Sequence, residues 1–208
     1  MRIATWFAPL LIPIILVDAG VALAQSCDNQ LLTNGGFEAA VVAGDIPGWV
    51  EVGGDWRAGT TNPPPSGGTQ YLAAGSAATA ELNQDVDVTA FAGSGIYYSF
   101  SGVVRTGVES PSDEVRVVVE FRGTGGTPLL GSVDSSNLSS PTQWRFPYCL
   151  LCHVIETPAG TRVIRIRLIA TRLTGSTNDG YFDSFSLIAL CPDPVEASTW
   201  GRLKMIFD

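Results

Sequence analysis

Apolar and polar positions alternate with period two in the two clearest stretches of the chain. In "DEVRVVVEFR", Val115, Val117, Val119 and Phe121 fall on one side, and Arg116, Val118, Glu120 and Arg122 on the other. In "TRVIRIRLIATR", Ile164, Ile166 and Leu168 alternate with Arg165 and Arg167. Successive side chains of a strand point to opposite faces, so this alternation predicts half-buried strands with one apolar and one polar side. "GIYYSFSGVV" and "GYFDSFSLIAL" predict two more strands, and "TQYLAAG" and "AELNQDVDV" two with a weaker pattern. Clusters of Gly, Pro, Asn, Asp and Ser separate these runs, as in the loop "TTNPPPSGG" and the turn "GTGGTP". That turn has no Lys-Ser/Thr ending and opens no helix, so it is not read as a phosphate-binding loop. No stretch of the body sustains a helical period. Residues 31 to 190 therefore predict an all-β fold, a two-sheet antiparallel β-sandwich.

The two ends break the pattern. "MRIATWFAPLLIPIILVDAGVALA" has one basic residue, Arg2, an apolar run from Trp6 to Val17, and the small-x-small ending Ala22-Leu23-Ala24. This predicts a removable secretion signal over 1–24, with the mature chain starting near Gln25. Pro9, Pro13 and Asp18 interrupt it, leaving no clean span of about 20 apolar residues for a retained membrane anchor. The sandwich domain is expected over 25–191. Residues 192–208 read as an extended linker, "PDPVEAST", and a short tail, "WGRLKMIFD". The expected destination is secretion or the cell surface, with no membrane insertion once the signal is cleaved.

Export changes the reading of the four cysteines, because disulfides persist outside the cytosol. Cys27 and Cys191 bracket the body, whereas Cys149 and Cys152 are neighbours, and three connectivities are open. "YCLLCH" also has the spacing that attaches a c-type haem, with His153, the chain's sole histidine, as the axial ligand. The mature chain offers no second histidine and one methionine, Met205, as a distal ligand. A local disulfide between Cys149 and Cys152, with His153 beside it by circumstance, is therefore preferred, and covalent haem c is the lesser alternative.

A net charge of −8, with 12 Lys and Arg against 20 Asp and Glu, argues against nucleic acid or an anionic membrane as partner. A neutral ligand, a cation or another protein fits better. Catalysis finds little support. No G-x-S-x-G occurs, and a Ser-His-Asp set would have to use His153. Glu51, Asp55, Asp113, Glu114 and Glu120 are candidates for acid pairs across strands, yet nothing in their spacing requires it.

"LLTNGGFEAAVVAGDIPGWVEVGG" resembles the opening of galactose-binding-like jelly rolls, in which N-G-x-F-E is followed by G-W. "AGTRVIRIRLIATRLTGSTNDGYFDSFSLIAL" resembles their closing pair of strands, with the N-D-G-Y-x-D-x-x-S-L ending found in many bacterial secreted domains. The resemblance spans nearly all of 27–190 and implies a sandwich whose first and last strands lie close together, which agrees with a Cys27–Cys191 pairing. It also implies a structural calcium held by Glu38 and Asp183, with Asp179 as a third carboxylate. Many members are carbohydrate-binding modules, so the expected partner is a carbohydrate or cell-surface glycan. An envelope protein is the alternative partner, with the W-G-x-[IL]-K-like tail as an attachment tag.

Sugars are held by aromatic faces together with a few polar side chains. The expected ligand set is Trp56 with Arg57, and Arg105 and Glu120 as polar contacts. Trp144 beside Arg145, and Tyr71, Tyr97, Tyr98, Tyr148 and Tyr181, are further aromatic candidates. Trp49 of the G-W pair is expected in the core, as is one of Tyr97 and Tyr98.

Overall fold

The alternating stretches become long strands lying side by side. The computed structural model describes residues 27–42, 44–92, 97–146 and 155–190. In the first sheet, β9 (Val163–Thr171) is flanked by β4 (Thr79–Asp87) and β6 (Glu114–Arg122), both antiparallel to it. With β1 (Val50–Gly53) and β7 (Leu129–Asp134) at the edges, the order is β1-β4-β9-β6-β7. The second sheet runs β2 (Arg57–Gly59), β3 (Tyr71–Ala73), β10 (Tyr181–Leu190), β5 (Tyr97–Arg105), β8 (Ile155–Glu156). The two sheets enclose one apolar core. Leu82, Val117, Phe121, Ile166 and Leu168 come from the first sheet, and Leu72, Phe100, Phe182, Phe185 and Leu187 from the second. This is the expected two-sheet antiparallel sandwich, and the predicted apolar sides of β6 and β9 are the ones buried.

All but the last residue of "AELNQDVDV" lies in the nine-residue strand β4, next to the sheet centre. The pattern is weak because Gln84 occupies a core-facing position. Its side-chain amide serves as a substitute backbone. The Thr33 N–H donates to Gln84 Oε1 at 2.8 Å, and Gln84 Nε2 donates to the Thr33 carbonyl at 2.9 Å. Both polar ends of the buried amide are thereby matched, as burial requires, and the opening segment is fixed to the first sheet.

The same segment also joins the second sheet. The Asp28 N–H donates to the Ala189 carbonyl and the Leu31 N–H to the Leu187 carbonyl, both at 2.8 Å. First and last segments of the body are therefore adjacent. Within β10 the pairing with β5 slips by one residue between Asp183 and Ser186, and Ser184 takes a positive φ of 56°. This bulge matters because Phe182 and Phe185 are three apart and would face opposite ways in a regular strand. With the extra residue between them, both enter the core, while Tyr181 and Asp183 lie on the outer side. Phe185 lies directly over Gly102 of β5, where a Cβ would stand 2.3 Å from ring atom Cδ1. Glycine here makes room for the ring.

The outer face of the first sheet is a cross-strand array of arginines and carboxylates. Arg167 of β9 donates to both oxygens of Glu81 on β4, at 2.8 and 3.0 Å, and to Glu120 on β6 at 3.0 Å. Arg122 also engages Glu120, Arg165 pairs with Asp85, and Arg116 with Asp134. These bonds hold the carboxyls of Glu81, Asp85 and Asp134 below their ordinary values, the arginine hydrogen bond being the largest cause in each.

Two outcomes are expected. Gly102→Ala should destabilise the fold by about 1–3 kcal/mol through overpacking against Phe185, read as a lower urea midpoint with an unchanged slope; an unchanged midpoint would refute the fit. For the carboxylates, a folded pKa below the unfolded one adds stability that is complete above the ordinary carboxylate range and is lost as pH falls through it. Arg167→Met should therefore shrink the gap between urea midpoints at pH 7 and pH 3, and an equal gap would contradict the array's role.

Candidate functional site

The outer face of the second sheet differs from that array in kind. Register fixes its first row: Arg57 on β2 is opposite Ala73 on β3, Ala73 is opposite Tyr181 on β10, and Tyr181 is opposite Arg105 on β5. Directly paired residues share a face, so two arginines flank Tyr181 across four adjacent strands. Their Cα atoms are about 14 Å apart, three inter-strand spacings.

Tyr71 adds a second ring to this face. It meets Tyr181 edge-on at 5.3 Å between centroids and Trp144 at 5.6 Å. Its ring leans over Gly59 of β2, where a Cβ would fall 2.2 Å from the ring. Trp144 arrives on the segment leading from Leu138, which bridges Val115 in the first sheet, to Arg145, which bridges Val104 in the second. Trp144 Nε1 donates to the Pro64 carbonyl at 2.9 Å, tying this crossing segment to the Pro-rich loop. Trp144 and Tyr181 are half-buried and keep part of each ring open to solvent, while Tyr71 is nearly covered.

The electrostatics are tightly linked. The Tyr181 hydroxyl donates to Asp179 Oδ1 at 2.9 Å. Burial, then the hydrogen bond and charge of Asp179, push the Tyr181 phenol well up. Burial also raises the Tyr71 phenol, with Arg105 pulling it down, Asp179 pushing it up and Arg57 pulling it down. Both phenols are neutral donors at physiological pH. Arg57, Arg105 and Asp179 all influence the Tyr71 hydroxyl through their charge. The face thus offers partly open rings, hydroxyls and two guanidiniums to a ligand lying across the strands.

Of the expected ligand residues, Arg57 and Arg105 are brought together here and Trp56 and Glu120 are not. Trp56 is 3% exposed, packs edge-on against Phe182 at 5.8 Å and donates Nε1 to the Gly53 carbonyl. Neighbours in an extended chain point to opposite faces, so once Arg57 is outward Trp56 must be inward. Glu120 is on the other sheet, held between Arg122 and Arg167. The alternation in "GYFDSF" gives Tyr181 the outward side as soon as Phe182 is placed inside, a signal that would have singled it out. Nothing in the sequence brings Trp144 to Tyr71, because that contact needs the strand order. Trp49 and Tyr98 are in the core, whereas Tyr97 is exposed.

The expected metal ligands divide into two groups. Glu38 and Asp183 grip one loop: the Thr69 and Gln70 N–H groups donate to Glu38, and the Ser66 and Gly67 N–H groups to Asp183, at 2.7 and 3.1 Å. Asp183 is fully buried, and this desolvation pushes its carboxyl up against the pull of those donors. In this arrangement the two carboxylates clamp the loop to the body of the sandwich. Asp179 belongs elsewhere, with Glu109 and Asp113, where one carboxylate oxygen from each lies within 4.8 Å of the others. That spacing could hold a metal ion. Asp113 is already turned toward the N–H groups of Leu173 and Asp179, at 2.7 and 2.8 Å. Cys149, Cys152, His153, Tyr148 and Cys191 lie outside the described residues.

No family model matches the chain, and no curated protein matches it in sequence. Solved structures match its fold. The module TmCBM61, solved with beta-1,4-galactotriose, is 19% identical over 77% of this chain and 99% of its own, with a TM-score of 0.50. A cyclase from Fischerella sp. TAU, solved with 4-(1H-indol-3-yl)butan-2-one, is 15% identical over 78% of this chain and 97% of its own, at 0.52. The Stig cyclase Fisc from the same source is 15% identical over 81% of this chain and 100% of its own, at 0.51. The shared feature is the galactose-binding-like jelly roll itself, a fold that carries more than one chemistry.

Proposed function

We propose that the chain is an exported, non-catalytic module that binds carbohydrate on the outer face of its second sheet. The observation that carries this reading is the surface formed by Trp144, Tyr71 and Tyr181 between Arg57 and Arg105. Partly open rings suit the apolar faces of sugar rings, and guanidinium and hydroxyl groups suit their oxygens. The presence of beta-1,4-galactotriose on TmCBM61, a module of the same fold, supports the ligand class. A catalytic alternative would need an acid and a base aimed at one bond. On this face, among the described residues, Asp179 already accepts a hydrogen bond from Tyr181 and Asp183 is taken up by the Ser66 and Gly67 N–H groups.

Export is part of the same reading, supported by the apolar leader and its Ala22-Leu23-Ala24 ending. So is the pairing of Cys27 with Cys191. It is supported by the adjacency of the segments that the two cysteines flank in the sequence: Gln30 bridges Ile188 in antiparallel register, and the Asp28 N–H donates to the Ala189 carbonyl. A mass spectrum of the exported protein should show a chain starting near residue 25 and a Cys27–Cys191 peptide pair. A free Cys27 thiol, or a retained leader, would overturn this part.

For binding, the mature chain should be retarded by soluble plant or bacterial polysaccharides in affinity electrophoresis. Trp144→Ala should weaken the interaction by about tenfold, the scale of one lost aromatic contact, while thermal melting confirms a folded sandwich. Failure to bind any polysaccharide in a broad panel would refute the carbohydrate reading.

A further inference from the structure

The four arginines on the outer face of the first sheet, Arg116, Arg122, Arg165 and Arg167, all have carboxylate partners. The two in the row across the second sheet do not. Among the described residues the Arg57 side chain has neither an ion pair nor a hydrogen bond. Arg105 makes one long contact, from Nη2 to the Pro141 carbonyl at 3.4 Å, and its Nε is buried with no acceptor. The nearby carboxylate, Asp179, is turned to the hydroxyls of Tyr181 and Thr177 instead. Both stand in one row on the same outer face, on either side of Tyr181, and neither has a carboxylate partner.

We infer that the carbohydrate bound on this face is anionic, a chain of uronic acid residues whose carboxylates are taken by Arg57 and Arg105. The inference rests on the carbohydrate-binding reading of the same face and adds the charge of the ligand. The chemistry is specific. A guanidinium presents two parallel N–H donors that match the two oxygens of a carboxylate, and such charge-assisted pairs are about twice as strong as neutral ones. A uronate would give the Arg57 guanidinium a strong acceptor where it has none, and would add one to Arg105, whose side chain makes only the long bond to Pro141; a neutral sugar hydroxyl does this less well. Tyr181, between the two arginines, would lie under the ring that joins the two carboxylates. The overall negative charge does not oppose this, because fields beyond about 8–10 Å are screened at physiological salt and the contact is local.

The test uses the mature exported chain and matched ligands that differ only in charge: oligogalacturonate, oligoglucuronate and alginate oligomers, each beside its carboxyl-reduced form. In calorimetric titration, at least one acidic form should bind about tenfold or more tightly than its reduced partner, with affinity falling as salt rises. Arg57→Ala and Arg105→Ala should each cost about tenfold against the acidic form and little against the reduced one. Arg57→Lys keeps the charge without the fork and should restore part of the loss. Arg57 is exposed, so its variants test the idea even if Arg105→Ala perturbs the fold. Equal binding to an acidic oligomer and its reduced form would overturn the anionic ligand and leave the carbohydrate reading standing. No binding to either form of any pair would overturn the uronate inference, and binding to neutral polysaccharides in the broader panel would show whether the carbohydrate reading survives it.

Discussion

The second sheet depends on a single added residue in its central strand. β10 must bury Phe182 and Phe185 and yet send Tyr181 and Asp183 outward, and a strand with strict period two cannot do this. The bulge at Ser184 resolves the conflict. Its consequences run in both directions. Inward, Phe185 drops onto Gly102 and meets Phe37, Phe100 and Phe182 ring to ring. Outward, Asp183 lies where it can receive the N–H groups of Ser66 and Gly67, which places the Pro-rich loop over that end of the face. The Phe185 N–H, freed from the regular ladder, donates to the Gly35 carbonyl and so fixes the opening segment as well.

The two outer faces use arginine in opposite ways. On the first sheet the guanidiniums complete a charge-balanced lattice across β4, β9, β6 and β7, so little remains to attract a ligand. Exposed pairs of this kind contribute little individually, though as a network they hold register between strands. On the second sheet the aromatic rings satisfy one another through edge contacts while the arginines stay unmatched. Electrostatic need and partly open ring surface thus coincide on one side of the molecule.

Much of the fold was legible in the sequence and much of the site was not, for a common reason. Alternation identified β6 and β9 and the sides they bury, because it is a local property of the strand. The N-G-x-F-E and N-D-G-Y-x-D stretches marked the first and last segments, which do pair. The short strands β1, β2 and β7 gave no periodic signal, since their outward residues and glycines obey no core pattern. Arg57 and Arg105 could be nominated by type. Their placement in one row could not be, because it arises from the order β2-β3-β10-β5, in which strands far apart in the chain become neighbours. The choice of Trp56 failed on a local rule that was available: adjacent residues of a strand cannot serve the same face.

The tie between Trp144 and Pro64 joins residues 80 positions apart, on a segment that crosses from one sheet to the other. A surface completed by so distant a contact cannot exist on a partly folded chain, because closing it requires both sheets in place. Any molecule bound there is therefore linked to the global folding equilibrium, not to a local loop, and acts as a thermodynamic brake on unfolding whose strength grows with its concentration. For a chain exported as proposed above, occupancy by a polymer on this face would itself lengthen the protein's lifetime.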